Sequence, residues 1–165
     1  MKGQQFWNDM AEVLRISESM NKELEEKGLR VHTTEGGVTK TNFLNDYDIL
    51  PESFKTELYK WKEKGQIDNV QAFISTGLSR GMDWHSDDDP VIIHCLYGKS
   101  SYQIDRDDGP IVEVKAGETL YMPAEVEHWG MSDKNPRIIL SIGVFSEVKP
   151  EDVTYHYNNL TIYEK

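Results

Sequence analysis

The chain has a single cysteine, Cys95, which excludes an internal disulfide and fits a reducing compartment. It lies in the apolar run VIIHCLY, a setting that favours a buried structural thiol over a nucleophile. Long hydrophobic runs are also missing: no stretch approaches the ~20 apolar residues of a membrane span. The opening MKGQQFWNDM carries an acid and a Trp where a signal peptide has its apolar segment. The expectation is therefore a soluble, cytoplasmic protein. Basic charge is scarce as well, with 18 Lys and Arg against 29 Asp and Glu, a net charge of -11. These cations form no stripe that could neutralise phosphates, so nucleic acid is disfavoured as a partner and a small molecule or peptide is expected instead. Repeats, low-complexity tracts and linkers are absent, and 165 residues suit one domain with one good core rather than two.

What is present divides the chain into three parts: a helical part at 1–68, a β-rich part at 69–146 and an appendage at 147–165. From Gln4 to Lys27, apolar residues recur at spacings of mostly three and four, including Phe6, Met10, Val13, Leu14 and Leu24. That pattern predicts an amphipathic helix, stopped by Gly28. The stretch VHTTEGGVTKTN reads as irregular or short-strand structure around a Gly-Gly turn. Pro51 opens a second helix through about Lys64, with Phe54, Leu58 and Trp61 on one face and Gly65 closing it. Beyond Asn69 the pattern changes to short β-branched and aromatic runs: VQAFIST, MDWHS, VIIHCLY, SYQID, IVEVK, TLYMP, VEHWGM and RIILSIGVF. Closely spaced strands without intervening helices indicate a barrel or sandwich, with the helices covering one outer face. In the last run, Ile138, Leu140, Ile142 and Val144 share one face and Arg137, Ile139, Ser141, Gly143 and Phe145 the other, so both faces should be buried and Arg137 should need a partner. The tail from Glu147 reads as an added strand or a dimer contact.

Chemistry concentrates in Asp83-Trp84-His85-Ser86-Asp87-Asp88-Asp89-Pro90. His85 and Asp87 are two residues apart, so on an extended strand both project from one face, an imidazole and a carboxylate suited to a divalent metal. His128 is the candidate third ligand. Two imidazoles and a carboxylate leave positions open for a cosubstrate and O₂, as in non-haem Fe(II) oxygenases; Zn or Mn fits the same cage. The alternative for the His-x-Asp pair alone is a solvated turn rich in aspartates. His94, seven residues past Asp87, should face out of the barrel if Val91, Ile93 and Cys95 face in. Trp84 and Trp129 adjoin the candidate ligands but point away from them by alternation and read as packing residues. Asp88 and Asp89 read as solvated.

The runs 81–104 and 116–145 together resemble the cupin superfamily, most closely its 2-oxoglutarate-dependent oxygenases of the JmjC-like and prolyl-hydroxylase-like kinds. His85 and Asp87 match the family's His-x-Asp motif. Gly117-Glu118-Thr119-Leu120-Tyr121-Met122-Pro123 is similar to its Gly-Asp-x-Leu-Tyr-Ile-Pro run, and His128 stands five residues past Pro123, where the family has its second histidine. Gly98-Lys99 falls at a turn where those proteins carry Gly. Arg137, nine residues after His128, stands on a strand resembling the one that carries the arginine gripping the far carboxylate of 2-oxoglutarate, a task suited to the guanidinium fork.

The resemblance implies a mainly β fold, a double-stranded β-helix (cupin or jelly-roll) barrel with N-terminal helices on its outer face. It implies Fe(II) held by His85, Asp87 and His128, and 2-oxoglutarate gripped by Arg137 with help from Ser141 and Tyr102. The implied activity is that of a dioxygenase hydroxylating a small molecule or a protein side chain, in a chain able to form a homodimer. Met82 and Ser100 stand where the JmjC-like branch has threonine and lysine, so the cosubstrate would rely on Arg137. The alternatives are a metal cupin of another activity, isomerase or cosubstrate-free dioxygenase, and a non-enzymatic ligand-binding barrel.

Overall fold

The computed structural model describes residues 3–5, 7–8, 11–12, 15, 32–35, 38–43, 52–75, 83–106, 108–131 and 137–162. The elements in chain order are β1 (His32–Glu35), β2 (Val38–Phe43), α1 (Glu52–Glu63), β3 (Ile67–Ser75), β4 (Val91–Tyr97), β5 (Lys99–Ile104), β6 (Ile111–Lys115), β7 (Thr119–Met122), β8 (His128–Gly130), β9 (Arg137–Val144) and β10 (Tyr155–His156), with 3₁₀ turns at Pro150–Asp152 and Tyr157–Ile162. A seven-stranded sheet, in the order β1-β2-β3-β9-β4-β7-β10, faces a three-stranded sheet ordered β6-β5-β8. Every pairing is antiparallel except the short parallel contact of β10 with β7. This is the double-stranded β-helix barrel, mainly β as the strand pattern implied.

Two expectations change in detail. Among the described residues of MDWHS, 83–86, there is no strand, and only His85 makes an isolated antiparallel bridge, to His128. Three aspartates of low β-propensity follow, and Pro90 cannot donate to a ladder, so pairing does not propagate there. The part expected to be helical also contributes β1 and β2, an antiparallel pair that extends the large sheet through the pairing of β2 with β3. The helix expected from Gln4 to Lys27 lies outside the described residues except at 4, 5, 7, 8, 11, 12 and 15, which are helical. In the tail, β10 is the added strand.

Helix α1 ends as its sequence requires. Gly65 adopts φ 66°, its N–H donates to Lys62 O at 3.0 Å, and Gln66 N–H reaches back to Trp61 O at 3.1 Å. These two bonds make a Schellman cap, whose left-handed position suits Gly. Glu52 in the first turn and Lys60 and Lys62 in the last oppose the helix dipole. Gly98, at φ 79°, makes the β4–β5 turn possible in the same way.

Alternation along β9 and β4 divides the interior into two apolar layers. Ile138, Leu140, Ile142 and Val144 turn outward from the barrel and pack with Ile92 and Val70 against Leu58 and Trp61 of α1. Val91, Ile93, Cys95, Leu120, Met122 and Ile139 turn inward to meet Tyr102, Ile104, Val112 and Val114 of the small sheet. The buried indole of Trp61 donates to Glu57 Oε1 at 3.0 Å, so its polar atom is satisfied. Among the described residues no helix is long and apolar enough to cross a membrane.

Because Leu58 is fully buried in the layer between helix and sheet, Leu58→Ala is expected to lower the unfolding free energy by about 2–5 kcal/mol. Urea denaturation followed by tryptophan fluorescence measures it; a loss under about 1 kcal/mol would show that α1 does not cover this face tightly.

Candidate metal centre

The metal candidates come together through backbone pairing. His85 N–H donates to His128 O at 3.0 Å and His128 N–H donates to His85 O at 2.9 Å, which sets the two residues opposite one another. Their rings lie edge to face with centroids 4.3 Å apart. Asp87 follows two residues later, its carbonyl accepting Glu125 N–H at 2.9 Å from the loop before β8. Ligand atoms of His85, Asp87 and His128 all lie within 4.8 Å of one another, and His128 Nε2 is 3.5 Å from Asp87 Oδ2.

The hydrogen bonds behind the rings fix which nitrogen faces the cluster. His85 Nδ1 is 2.9 Å from Asp83 O, and His128 Nδ1 is 3.0 Å from Val126 O. A carbonyl only accepts, so each Nδ1 carries the proton and each Nε2 presents a lone pair, the tautomer that a metal site requires. Burial pushes the His128 imidazole below its usual pKa, with the carbonyl of Val126 and Asp87 opposing that shift and His85 adding to it. The neutral, ligating form is thereby favoured.

A cavity of about 220 Å³ between the two sheets connects this cluster to the remaining candidates. His85, Asp87, His128, Tyr102, Arg137 and Ser141 all line it. Strand register explains the arrangement: Arg137 pairs with Ser75, Ile139 with Phe73 and Ser141 with Gln71, placing three inward residues of β9 beside three of β3. Across the cavity, Tyr102 stands opposite Gly130, and Ile104 opposite His128. Arg137 is buried, 7% exposed, and its charge acts on both Cys95 and Tyr102. Burial nevertheless dominates both, pushing the Cys95 thiol and the Tyr102 phenol up to about 12, so each stays protonated. Cys95 Sγ lies 3.5 Å from the carbonyls of Tyr97 and Gly98, as befits a structural thiol.

Sequence reasoning had not assigned Ser100, Ser75, Gln71, Phe73 or Met131 to the site, though all line the cavity. The signal for Ser100 was its shared parity with Tyr102 on β5, and for the β3 residues it was the period of two in VQAFIST. Ser100 Oγ is sealed from solvent and meets no partner at full hydrogen-bond geometry, though it lies near enough to the Tyr102 hydroxyl to oppose the rise in its pKa. His94, which could be mistaken for a ligand, lies on the opposite surface of β4, as alternation required. Burial there lowers its pKa, against the raising influence of Glu57. Trp84 and Trp129 do not line the cavity and pack on each other with centroids 6.2 Å apart. Asp88 is exposed; Asp89 is also exposed and shares a proton-mediated contact with Asp68 that raises its pKa. His156 donates from Nε2 to Val148 O at 2.7 Å and packs on Tyr121, a structural role.

No protein-family model matches the sequence, and no curated protein does. Solved structures do resemble the fold. The Escherichia coli ribosomal oxygenase YcfD superposes with a TM-score of 0.53 at 17% identity, covering 69% of this chain and 33% of YcfD. YcfD in complex with cobalt and 2-oxoglutarate gives 0.52 at 15% identity, covering 72% and 35%. An RmlC-like cupin from Shewanella frigidimarina gives 0.47 at 12% identity, covering 73% and 87%. This chain thus spans about a third of YcfD. At such identities the likeness concerns the barrel alone.

The two depressed histidines have a consequence for stability. Their folded pKa values lie below the unfolded value near 6.5, so the unfolded chain binds more protons as pH falls through that point. Stability contributed by neutral His94 and His128 is complete above 6.5 and is lost progressively below it. Urea midpoints of the metal-free protein are expected to fall from pH 7.5 to about 5.5, ahead of the carboxylate range. A flat profile would show that neither imidazole is held neutral by the fold.

Proposed function

We propose that the protein is an Fe(II)- and 2-oxoglutarate-dependent oxygenase that hydroxylates a small molecule or a protein side chain. The observation that carries this reading is one cavity holding a two-histidine, one-carboxylate cluster together with a buried arginine. The donor set fits ferrous iron: two Nε2 lone pairs and a carboxylate oxygen on one side leave the other side open. The polar atoms beyond it fit a carboxylate. Arg137, the protonated Tyr102 hydroxyl and the buried Ser100 Oγ could each donate to a carboxylate in a cavity whose other walls include the apolar Phe73, Ile93 and Ile139. Tyr102 stands two residues from the level of His128 along the strands, a separation of about 7 Å that suits a short dicarboxylate reaching from one group to the other. The YcfD complex with cobalt and 2-oxoglutarate, built on a similar barrel, supports the reading.

Iron with 2-oxoglutarate, when bound, supplies the oxidation that ends in hydroxylation of a C–H bond. The chain's part is to hold, orient and exclude. His85 and His128 keep their lone pairs on the cluster through the carbonyls of Asp83 and Val126. Arg137 fixes one end of the cosubstrate, with Ser141 beside it on the same strand face, while the apolar walls restrict water. Exposed Asp83, Asp88 and Asp89, close in sequence to His85 and Asp87, favour a basic or neutral target over an acidic one.

Anaerobic addition of Fe(II) and then 2-oxoglutarate to metal-free protein is expected to produce the visible charge-transfer band of the chelate. Arg137→Ala should weaken 2-oxoglutarate binding by roughly 10–100-fold, the scale of losing a charge-assisted bidentate contact. Bound iron without a band would reject the cosubstrate and point to a metal cupin of another activity, with Arg137 meeting substrate directly. Absence of any divalent metal binding would point to a non-enzymatic ligand-binding barrel.

A further inference from the structure

We propose that Arg106 and Glu127, working with Trp84 and Trp129, form a clamp on the outside of the barrel that positions His85 and His128 for the metal. The inference rests on the metal-binding reading of the triad and goes beyond it to residues that never touch the cavity. It begins with alternation. Trp84 precedes His85, and Glu127 and Trp129 flank His128, so where the two histidines face inward their neighbours face the other way.

On that outer surface one side chain touches both ligand-bearing segments. The Arg106 guanidinium carbon lies 5.3 Å from the centre of the Trp84 ring. The same group donates from Nε to Glu127 Oε2 at 2.6 Å and from Nη2 to Glu127 Oε1 at 2.8 Å, a two-pronged pair. Trp84 and Trp129 meet with their planes tilted by 40°, completing the tie between the segments.

Arg106 is itself held in place. Asp105 and Arg106 sit in the left-handed region, at φ 62° and 71°, in the turn after β5. Asp105 N–H donates to Glu127 O at 2.9 Å, Tyr157 Oη donates to Asp105 Oδ2 at 2.8 Å, and Gly109 N–H closes on Arg106 O at 2.9 Å. A Cβ on Gly109 would lie 1.4 Å from Ile104 O, so the turn admits only glycine there. Two consecutive non-glycine residues in this conformation persist only where their surroundings over-determine them.

The need for such a clamp follows from how lightly the ligands are mounted. His85 belongs to no strand and meets β8 through one bridge, while β8 has three residues and lies at the end of its sheet. A metal tolerates only a few tenths of an ångström in ligand position. The pair is half exposed, 58% for Arg106 and 43% for Glu127, so it adds little to global stability. Its contribution is to the spacing of two imidazoles.

Co(II) titration of metal-free wild type, Arg106→Gln and Glu127→Gln tests this, reading the dissociation constant, the visible ligand-field spectrum and the thermal midpoint. Each variant is expected to bind Co(II) roughly 10–100-fold more weakly, as outer contacts of metal ligands do, with an altered spectrum and an unchanged midpoint. Variants that bind like wild type with the same spectrum overturn the clamp and leave the triad reading intact. Weakened binding that appears only with a matching fall in midpoint also overturns it, since that marks a general structural role. A wild type that binds no more Co(II) than His85→Ala fails the metal reading itself, and the clamp with it.

Discussion

Burial of both faces of β9 is the constraint on which the rest of the structure depends. A strand flanked by β3 and β4 and covered on both sides has no solvent face, so each residue must serve one of two interiors. Ile138, Leu140, Ile142 and Val144 serve the layer under α1. Arg137, Ile139 and Ser141 serve the cavity. Slipping the register by one residue would send the guanidinium into the helix layer and a leucine into the cavity, so core formation and assembly of the site are one event.

That double duty is why much of the molecule could be read from its sequence. Alternation in RIILSIGVF told which side Arg137 shares with Ser141, and the same logic turned His94 outward. The glycine stop at Gly65 and the turn glycine at Gly98 marked boundaries by conformational need rather than by composition. Less was legible where tertiary contacts decide. MDWHS read as a strand, whereas within its described residues only His85 pairs, and one backbone bridge between residues 43 positions apart leaves no periodic trace. A two-residue strand such as β10 lies below any pattern. The cavity face of β3 could have been recognised by its period of two, yet nothing local says whether Gln71 or Ala72 looks inward.

Of the candidate site, the residues of the cluster were implicit in His-x-Asp and a later histidine, while the histidine tautomers were not. Those follow from carbonyls two residues upstream of each imidazole, a relation visible only once the backbone is folded. Ser100 illustrates the converse. In sequence it reads as the absence of a lysine, whereas in the fold it is a buried hydroxyl in the cavity wall beside Tyr102.

The two walls of the barrel are unequal, seven strands against three, and they divide the polar groups of the cavity between them. His128, with His85 bridged to it, belongs to the thin wall, and Arg137 and Ser141 to the thick one. A molecule that engages both ends is therefore a strut between two sheets as well as a ligand. Its binding free energy adds to the cohesion of the barrel itself, by RT ln(1 + [L]/Kd). Occupancy would be felt as stiffness across the whole sandwich, far from any atom the ligand touches.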